Sequence, residues 1–532
     1  MLSVSSRALL VWTWILVAVH LAWMGVRYGV GFPIWGDEAF VAVNFYDRSY
    51  LDLVQPLEYG QIAPLLWLWL EKACFELFGA SVWSLRLPAL LAGIGSTWLM
   101  LRFCLRALPQ PSALLGFAVF AASYYPLRHA VELKPYSVDL LFALIMLNLA
   151  LDLYKGAAQK LPQVGRWLTL MFVSLLGVWS SFPSLFVSGS LIVFFGMLGL
   201  FGKAEDFRER LRLLLPSSLW AVWLAISAIF MVRIFAGPHA ESAAWLTEMA
   251  MWTPTFPPLA EWWQIPQWLL ESHAGYMSAY PTGGRNYGSA ATLLLIVIGV
   301  IAVWRSKRRA FLWLLLGPLV FTFIAAALQR YPYGGSVRVS IYMAPAFCLL
   351  AGHGLATIFS RTPVKVQSAV AVFFCIALTG FAASGAVRDI QKPHKIIADR
   401  MSLEFADWME QKVADDDVVA GFCNTERGRI PDFFHLGGSM ARLRFHLTRD
   451  FHQPVLWGGP ISALAHVRSG NMPGHFWLIA YTDDNDTDMP FPQAEFDQLL
   501  QDLTAERGPS KHFEFPFQNA ERVDLYRFAP RE

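Results

Sequence analysis

Eleven apolar runs constrain this chain more than any other feature. They fall at about residues 8–27, 82–104, 112–127, 137–154, 167–181, 184–200, 213–235, 289–304, 310–328, 339–357 and 366–386. Each reads as a bilayer-spanning helix. Lipid admits helices and closed barrels alone, because it offers no water to unpaired backbone groups. Composition agrees: of 532 residues 55% are hydrophobic and 15% charged, with 22 Trp, 40 Phe and a mean hydropathy of +0.42. The expected fold is an α-helical polytopic membrane protein. A net charge of +2 gives no reason to expect a nucleic-acid partner. Five scattered cysteines (Cys74, Cys104, Cys348, Cys375 and Cys423) show neither metal spacing nor a disulfide framework.

Orientation follows from the basic loops. Arg102 and Arg106; Lys155, Lys160 and Arg166; Lys203, Arg208, Arg210 and Arg212; Arg305, Lys307, Arg308 and Arg309; and Arg361 with Lys365 all fall on one side if the eleven runs each cross once. That side is the cytoplasm, which puts the N terminus inside and 387–532 outside. The segment 62–78, IAPLLWLWLEKACFELF, carries Glu71, Lys72 and Glu76 at helical spacing. It reads as an interfacial helix, since a crossing there would invert every later loop. The first run lacks a small-residue cleavage site and reads as a retained helix.

The outward face then carries a first loop (28–81), a short second loop LRHAVELKPYS (127–137), a large loop rich in Trp, Pro and Gly (236–288) and QRYPYGGSVR (329–338). Residues 1–389 form the membrane domain. Residues 390–532 read as a small α/β domain, with a helix at 402–414 and strands at 417–422, 475–481 and 522–528. The acidic run 482–488 lacks the Gly and distal Glu of a calcium loop and reads as a solvated turn.

Candidate chemistry sits at the outer ends of the spans. Asp37 and Glu38, in WGDEAF, lie between Trp35 and Phe40. They read either as solvated acids with Glu38 capping a short helix, or as desolvated carboxylates suited to accept a proton. Arg128, His129, Glu132, Lys134, Tyr136 and Asp139 crowd one short stretch, and ionisable groups at membrane depth are costly unless used. Arg330 and Arg338 flank a Gly-Gly turn with Tyr331 and Tyr333, and a guanidinium at Arg338 suits a phosphate. Carboxylates, cations and aromatics at one membrane surface are the groups that sugar transfer from a lipid phosphate needs.

WGDEAF, then PLEYGQIAPLLWLWLEKACFELFGASVWSLRLPALLAG (56–93), ELKPYSVD and YPYGGSVR together resemble the GT-C superfamily of integral-membrane glycosyltransferases. Within it the chain is most similar to the bacterial branch related to protein O-mannosyltransferases and the lipid A aminoarabinose transferase. The resemblance covers about residues 1–360. It implies an inverting transferase that takes its sugar from a polyprenyl phosphate, undecaprenyl phosphate in bacteria. On that pattern Asp37 is the base with Glu38 beside it, and Arg338 holds the lipid phosphate, helped by Lys134. Glu132 orients the acceptor or binds a metal, with Arg128, His129, Tyr136, Tyr333 and Gln61 lining the site. Some branches bind a divalent cation, but Lys134 beside Glu132 argues against a metal ligand here. The expected acceptor is an envelope glycan, lipid or protein, at the outer face of the cytoplasmic membrane.

Two other classes remain open from the residues. A transporter or flippase of lipid-linked sugars would place polar groups in broken helices near the midplane, whereas here they collect at span ends. A catalytically silent scaffold would use the C-terminal domain for binding.

Overall fold

A computed structural model describes the chain apart from residues 1–3, 159–162, 202–206, 236–252, 285–286, 415–416, 423–455, 458–473, 484–492, 517–520 and 531–532. The chain divides into two compact units. One comprises Met1–Val30, Ile62–Leu77 and Trp83–Gln391; the other comprises Gly31–Gln61, Phe78–Val82 and Lys392–Glu532.

The first unit is helical. It contains α1 (Val4–Val30), α4 (Leu65–Phe78), α5 (Val82–Ala107), α6 (Ser112–Ala121), α7 (Tyr124–His129), α8 (Tyr136–Ala158), α9 (Val164–Ser180), α10 (Ser184–Phe201) and α11 (Phe207–Phe235). Helices Tyr287–Arg305, Arg309–Ala327, Ala344–Ile358 and Val364–Gln391 complete it, with the shorter Ile265–Ser272 among them. Among the described residues nine helices are long and apolar enough to cross a membrane, and α6 and α9 are apolar but shorter. The protein is a multi-pass membrane protein. Its periphery shows why: α11 exposes Leu215, Leu219, Val222, Trp223, Ile226 and Phe230 as one helical stripe, which suits lipid and not water.

Burial sorts the spans. The apolar window of Val337–Ile358 is 83% buried and that of Arg210–Ile234 only 17%, so the former runs through the middle of the bundle. Small residues let it in. A Cβ on Gly352 would stand 2.1 Å from the backbone N of Gly116 on α6, and one on Gly354 would stand 1.9 Å from the Leu295 carbonyl oxygen. The two glycines, two residues apart, serve opposite sides of one helix, where backbones touch without intervening side chains.

The run 112–127 was expected as a single span, but α6 stops at Ala121. Ser123 turns its hydroxyl back onto the Val119 carbonyl at 2.6 Å. Pro126 has no N–H for a continuing helix and instead sits in the first turn of α7, where none is needed. The chain therefore folds back on itself through 122–135 before α8 begins.

In the second unit, β1 (Val418–Phe422), β2 (Leu456–Trp457), β3 (Phe476–Asp483), β4 (Lys511–Pro516) and β5 (Glu521–Phe528) form one sheet in the order β2-β1-β3-β5-β4. Pairings at β1 are parallel and those at β5 antiparallel. Alternate side chains feed two layers. Val419, Trp477, Ile479, Val523 and Leu525 meet Phe405, Ala406 and Met409 of the Ile397–Glu410 helix. Val418, Phe476, Leu478 and Phe528 meet Phe496, Leu499 and Leu503 of the Gln493–Arg507 helix. The three strands and first helix expected here are present. The edge strands and the second helix were not anticipated, since β2 has two residues and β4 alternates charged with aromatic residues. Residues 484–488 of the acidic run, and Cys423, lie outside the described residues. The same unit holds α2 (Gly36–Ala42), followed by the one-turn α3 (Asn44–Asp47). Asn44 ties this segment together, donating to the Phe40 carbonyl at 2.9 Å and accepting from the Glu58 N–H at 2.9 Å.

Candidate active site

The polar residues of the helical unit gather on the turn 122–135. Its floor is apolar: Leu127, Ala130 and Val131 pack with Trp23, Met24 and Ala382. Its side is ionic. Arg27 of α1 pairs with Asp389 at 2.8 Å, and the Trp23 indole N–H donates to the same carboxylate at 2.8 Å. Arg27 and Arg388 both lie over the Tyr124 ring, at 5.8 and 5.4 Å. The first and last helices of the bundle thus grip the start of α7.

At the centre lies Glu132, 4% exposed, with His129 at 2% and Lys134 at 7%. One carboxylate oxygen of Glu132 accepts from Arg128 Nε, and the other lies 2.7 Å from His129 Nδ1. Burial pulls the His129 pKa below its ordinary value of 6.5, against an opposing pull from Glu132. Burial thus favours the neutral ring, with Nδ1–H directed at the carboxylate, and among the described residues its buried Nε2 has no hydrogen-bond partner. Tyr136 meets the ring edge-on at 4.9 Å and Tyr125 stacks at 6.0 Å. The positive charge of Arg338 acts on His129 as well, which brings the fourth outer segment of the sequence to this turn.

The expected residues thus separate into groups. Arg128, His129, Glu132 and Tyr136 are in direct contact, Arg338 acts electrostatically on His129, and Lys134 is buried in the same turn with its N–H on the Glu132 carbonyl at 2.8 Å. Tyr333 is placed differently. It sits against Trp268, Phe323 and His273, with its hydroxyl 3.3 Å from His273 Nε2 and its N–H on the Thr255 carbonyl at 3.0 Å. It fastens the Gly-Gly turn to the 253–277 segment. Gly334 and Gly335 both adopt φ +71°, and a Cβ on Gly335 would strike Thr255 Cγ2 at 2.1 Å, so glycine is required there.

In the second unit Asp37 and Glu38 stand in the first turn of α2, 5% and 0% exposed. Glu38 Oε2 accepts from the Trp35 N–H at 3.3 Å, which is a helix-capping contact. Both acids are out of solvent, and Lys395 lies over the Trp35 ring. Gln61 ends the short helical turn Glu58–Gly60, its N–H on the Glu58 carbonyl at 3.4 Å.

Tyr125 was missed because it lay inside an apparent span; the signal was SYYP, a helix-breaking proline among interfacial tyrosines. The Arg27–Asp389 pair was missed too, although opposite charges at the ends of the first and last runs were visible. Among the described residues one group has metal-ligand spacing, His512, Glu514 and Asp524 on the sheet.

The helical bundle has a GT-C-like fold. Among solved structures, ArnT from Cupriavidus metallidurans in the apo state aligns with a TM-score of 0.51 at 12% identity, over 97% of each chain. The same protein bound to undecaprenyl phosphate aligns with a TM-score of 0.48 at 12% identity, over 97% of this chain and 98% of that one. The oligosaccharyltransferase of Archaeoglobus fulgidus aligns with a TM-score of 0.48 at 12% identity over 82% of this chain, which spans 64% of that protein's length. No family model and no curated protein sequence matches the chain.

Proposed function

We propose that the protein is an inverting glycosyltransferase, moving a sugar from a polyprenyl-phosphate donor to an envelope lipid, glycan or protein at the outer face of the cytoplasmic membrane. The observation that carries this reading is the buried set His129, Glu132 and Lys134, with the half-buried Arg128 paired to Glu132 and Arg338 acting on His129, at one end of a GT-C-like bundle. Charged groups are kept at such depth at a cost, and a lipid-linked anion is the substrate that repays it.

In the proposed reaction Asp37 accepts the proton of the acceptor hydroxyl. The acceptor oxygen attacks the anomeric carbon from the face opposite the phosphate, and the carbon–oxygen bond to phosphate breaks. The electron pair leaves on the lipid monophosphate, whose charge Arg338 and Lys134 neutralise. Within the turn, Glu132 holds the Arg128 fork and the His129 ring in fixed orientation.

Mass spectrometry of envelope lipids and glycans, from cells with and without the protein, tests the reading. A sugar that vanishes from one envelope component, with its lipid-linked precursor accumulating, is the expected result. An unchanged envelope together with no transfer from any polyprenyl-phosphate sugar by purified protein would overturn it.

A further inference from the structure

We infer that the outer ladder of the C-terminal sheet is a binding site for one divalent transition-metal ion of the zinc class, held by His512, Glu514 and Asp524. The inference stands apart from sugar transfer and rests on the register of β4 and β5.

These strands are antiparallel, with His512 opposite Tyr526 and Glu514 opposite Asp524. Phe513 and Phe515 point into the layer beneath the Ile397–Glu410 helix. Alternation therefore sends His512 and Glu514 to the other face, where Asp524 and Tyr526 also lie. One ligand atom from each of His512, Glu514 and Asp524 comes within 4.8 Å of the others. His512 Nε2 is already 2.9 Å from Asp524 Oδ1.

Three features favour a cation. The register sets two carboxylates directly across the ladder, and like charges so placed destabilise a sheet. The contact of His512 with Asp524 reaches one of the two carboxylates, whereas a divalent ion binds both. The ring of His512 is also fixed: it stacks on Tyr526 at 4.7 Å and 14°, which aims Nε2 at the carboxylates. Access is open, because β4 ends the sheet order and His512 and Glu514 are exposed, while Asp524 is held on the inner strand β5.

The donor set chooses the metal. Calcium and magnesium take oxygen ligands, whereas imidazole with carboxylates suits zinc and its neighbours. Three protein ligands leave a fourth tetrahedral position for water. At bond lengths of about 2.0–2.2 Å tetrahedral donors stand roughly 3.5 Å apart; the His512–Asp524 contact at 2.9 Å must open slightly, and the exposed Glu514 side chain closes on the two. Bound metal would staple the edge strand β4 to β5.

The test uses full-length protein in detergent, stripped with EDTA and titrated with Zn²⁺ against a chromophoric chelator. One equivalent is expected to bind, with affinity falling at least about tenfold in Glu514→Gln and in His512→Asn. Co²⁺ is expected to give a visible absorption band that both variants lose, and Zn²⁺ to raise the melting temperature of the native chain alone. Glu514 is exposed, so its variant keeps the test decisive if His512→Asn fails to fold. An ion pair without metal leaves Glu514→Gln silent. The proposal is overturned by the absence of stoichiometric binding, by equal Zn²⁺ affinity in Glu514→Gln, or by equally tight Ca²⁺ binding.

Discussion

His129 Nδ1 lies 2.7 Å from Glu132 Oε2 while Arg128 Nε holds the other oxygen of the same carboxylate. One buried acid thus orients the guanidinium and the imidazole of two consecutive residues. Glu132→Ala takes that carboxylate from a half-buried guanidinium, and since removal of one partner from a fully buried pair costs about 3–5 kcal/mol, the loss here should lie at or below the low end of that range. Glu132→Gln preserves the shape and should cost less. Thermal unfolding in detergent should order the three proteins native, Gln, Ala; an alanine variant as stable as the native chain would refute a structural role for this pair.

The neutral state of His129 has a pH signature. Its folded pKa is held below the ordinary 6.5 by burial, so between those two values the unfolded chain binds the extra proton. Stability from this group is fully present above about pH 6.5 and falls as the pH drops through that window. Melting temperature should decline on acidification below 6.5, and the decline should be shallower in His129→Gln. Parallel profiles for the two proteins would show that His129 does not titrate in this way.

Asp37 and Glu38 are adjacent and both buried. Glu38 caps α2 through the Trp35 N–H, and Asp37 is the proposed base. Asp37→Asn should lower transfer by about 10²–10⁴-fold, the usual worth of a general base, with the melting temperature retained. Glu38→Gln should act mainly on stability. Assays of sugar transfer beside melting curves separate the two, and unimpaired transfer by Asp37→Asn would remove it from the mechanism.

Gly354 faces the Leu295 carbonyl so closely that a methyl group has no place to go. Gly354→Ala must push a pair of helix backbones away from each other, at about 1–3 kcal/mol by the usual cost of overpacking. A lower melting temperature is expected. Gly380, which has nothing within 4 Å of its Cβ position, should accept alanine without loss.

The spans were legible because length and hydropathy are local properties that a bilayer reads directly. The central strands were legible because their side chains alternate between two buried layers. The end of α6 was not, since AASYYPL remains apolar while Ser123 and Pro126 break the helix. Tyr125 was hidden with it. For Tyr333 the chain showed an interfacial tyrosine near a Gly-Gly turn, but its packing against Trp268 and His273 depends on a segment some sixty residues away.

By itself, then, the sequence determined that this is a polytopic membrane protein with a small α/β domain, because apolar runs and alternation act over neighbouring residues. Only the tertiary structure decided which charges meet. Asp389 joins Trp23 across 366 positions, and Arg27 with it, through the packing of the first helix on the last. Glu514 faces Asp524 because one ladder register, and not its neighbour, buries Phe513 and Phe515. A shift by one residue would send His512 and Glu514 to the opposite face.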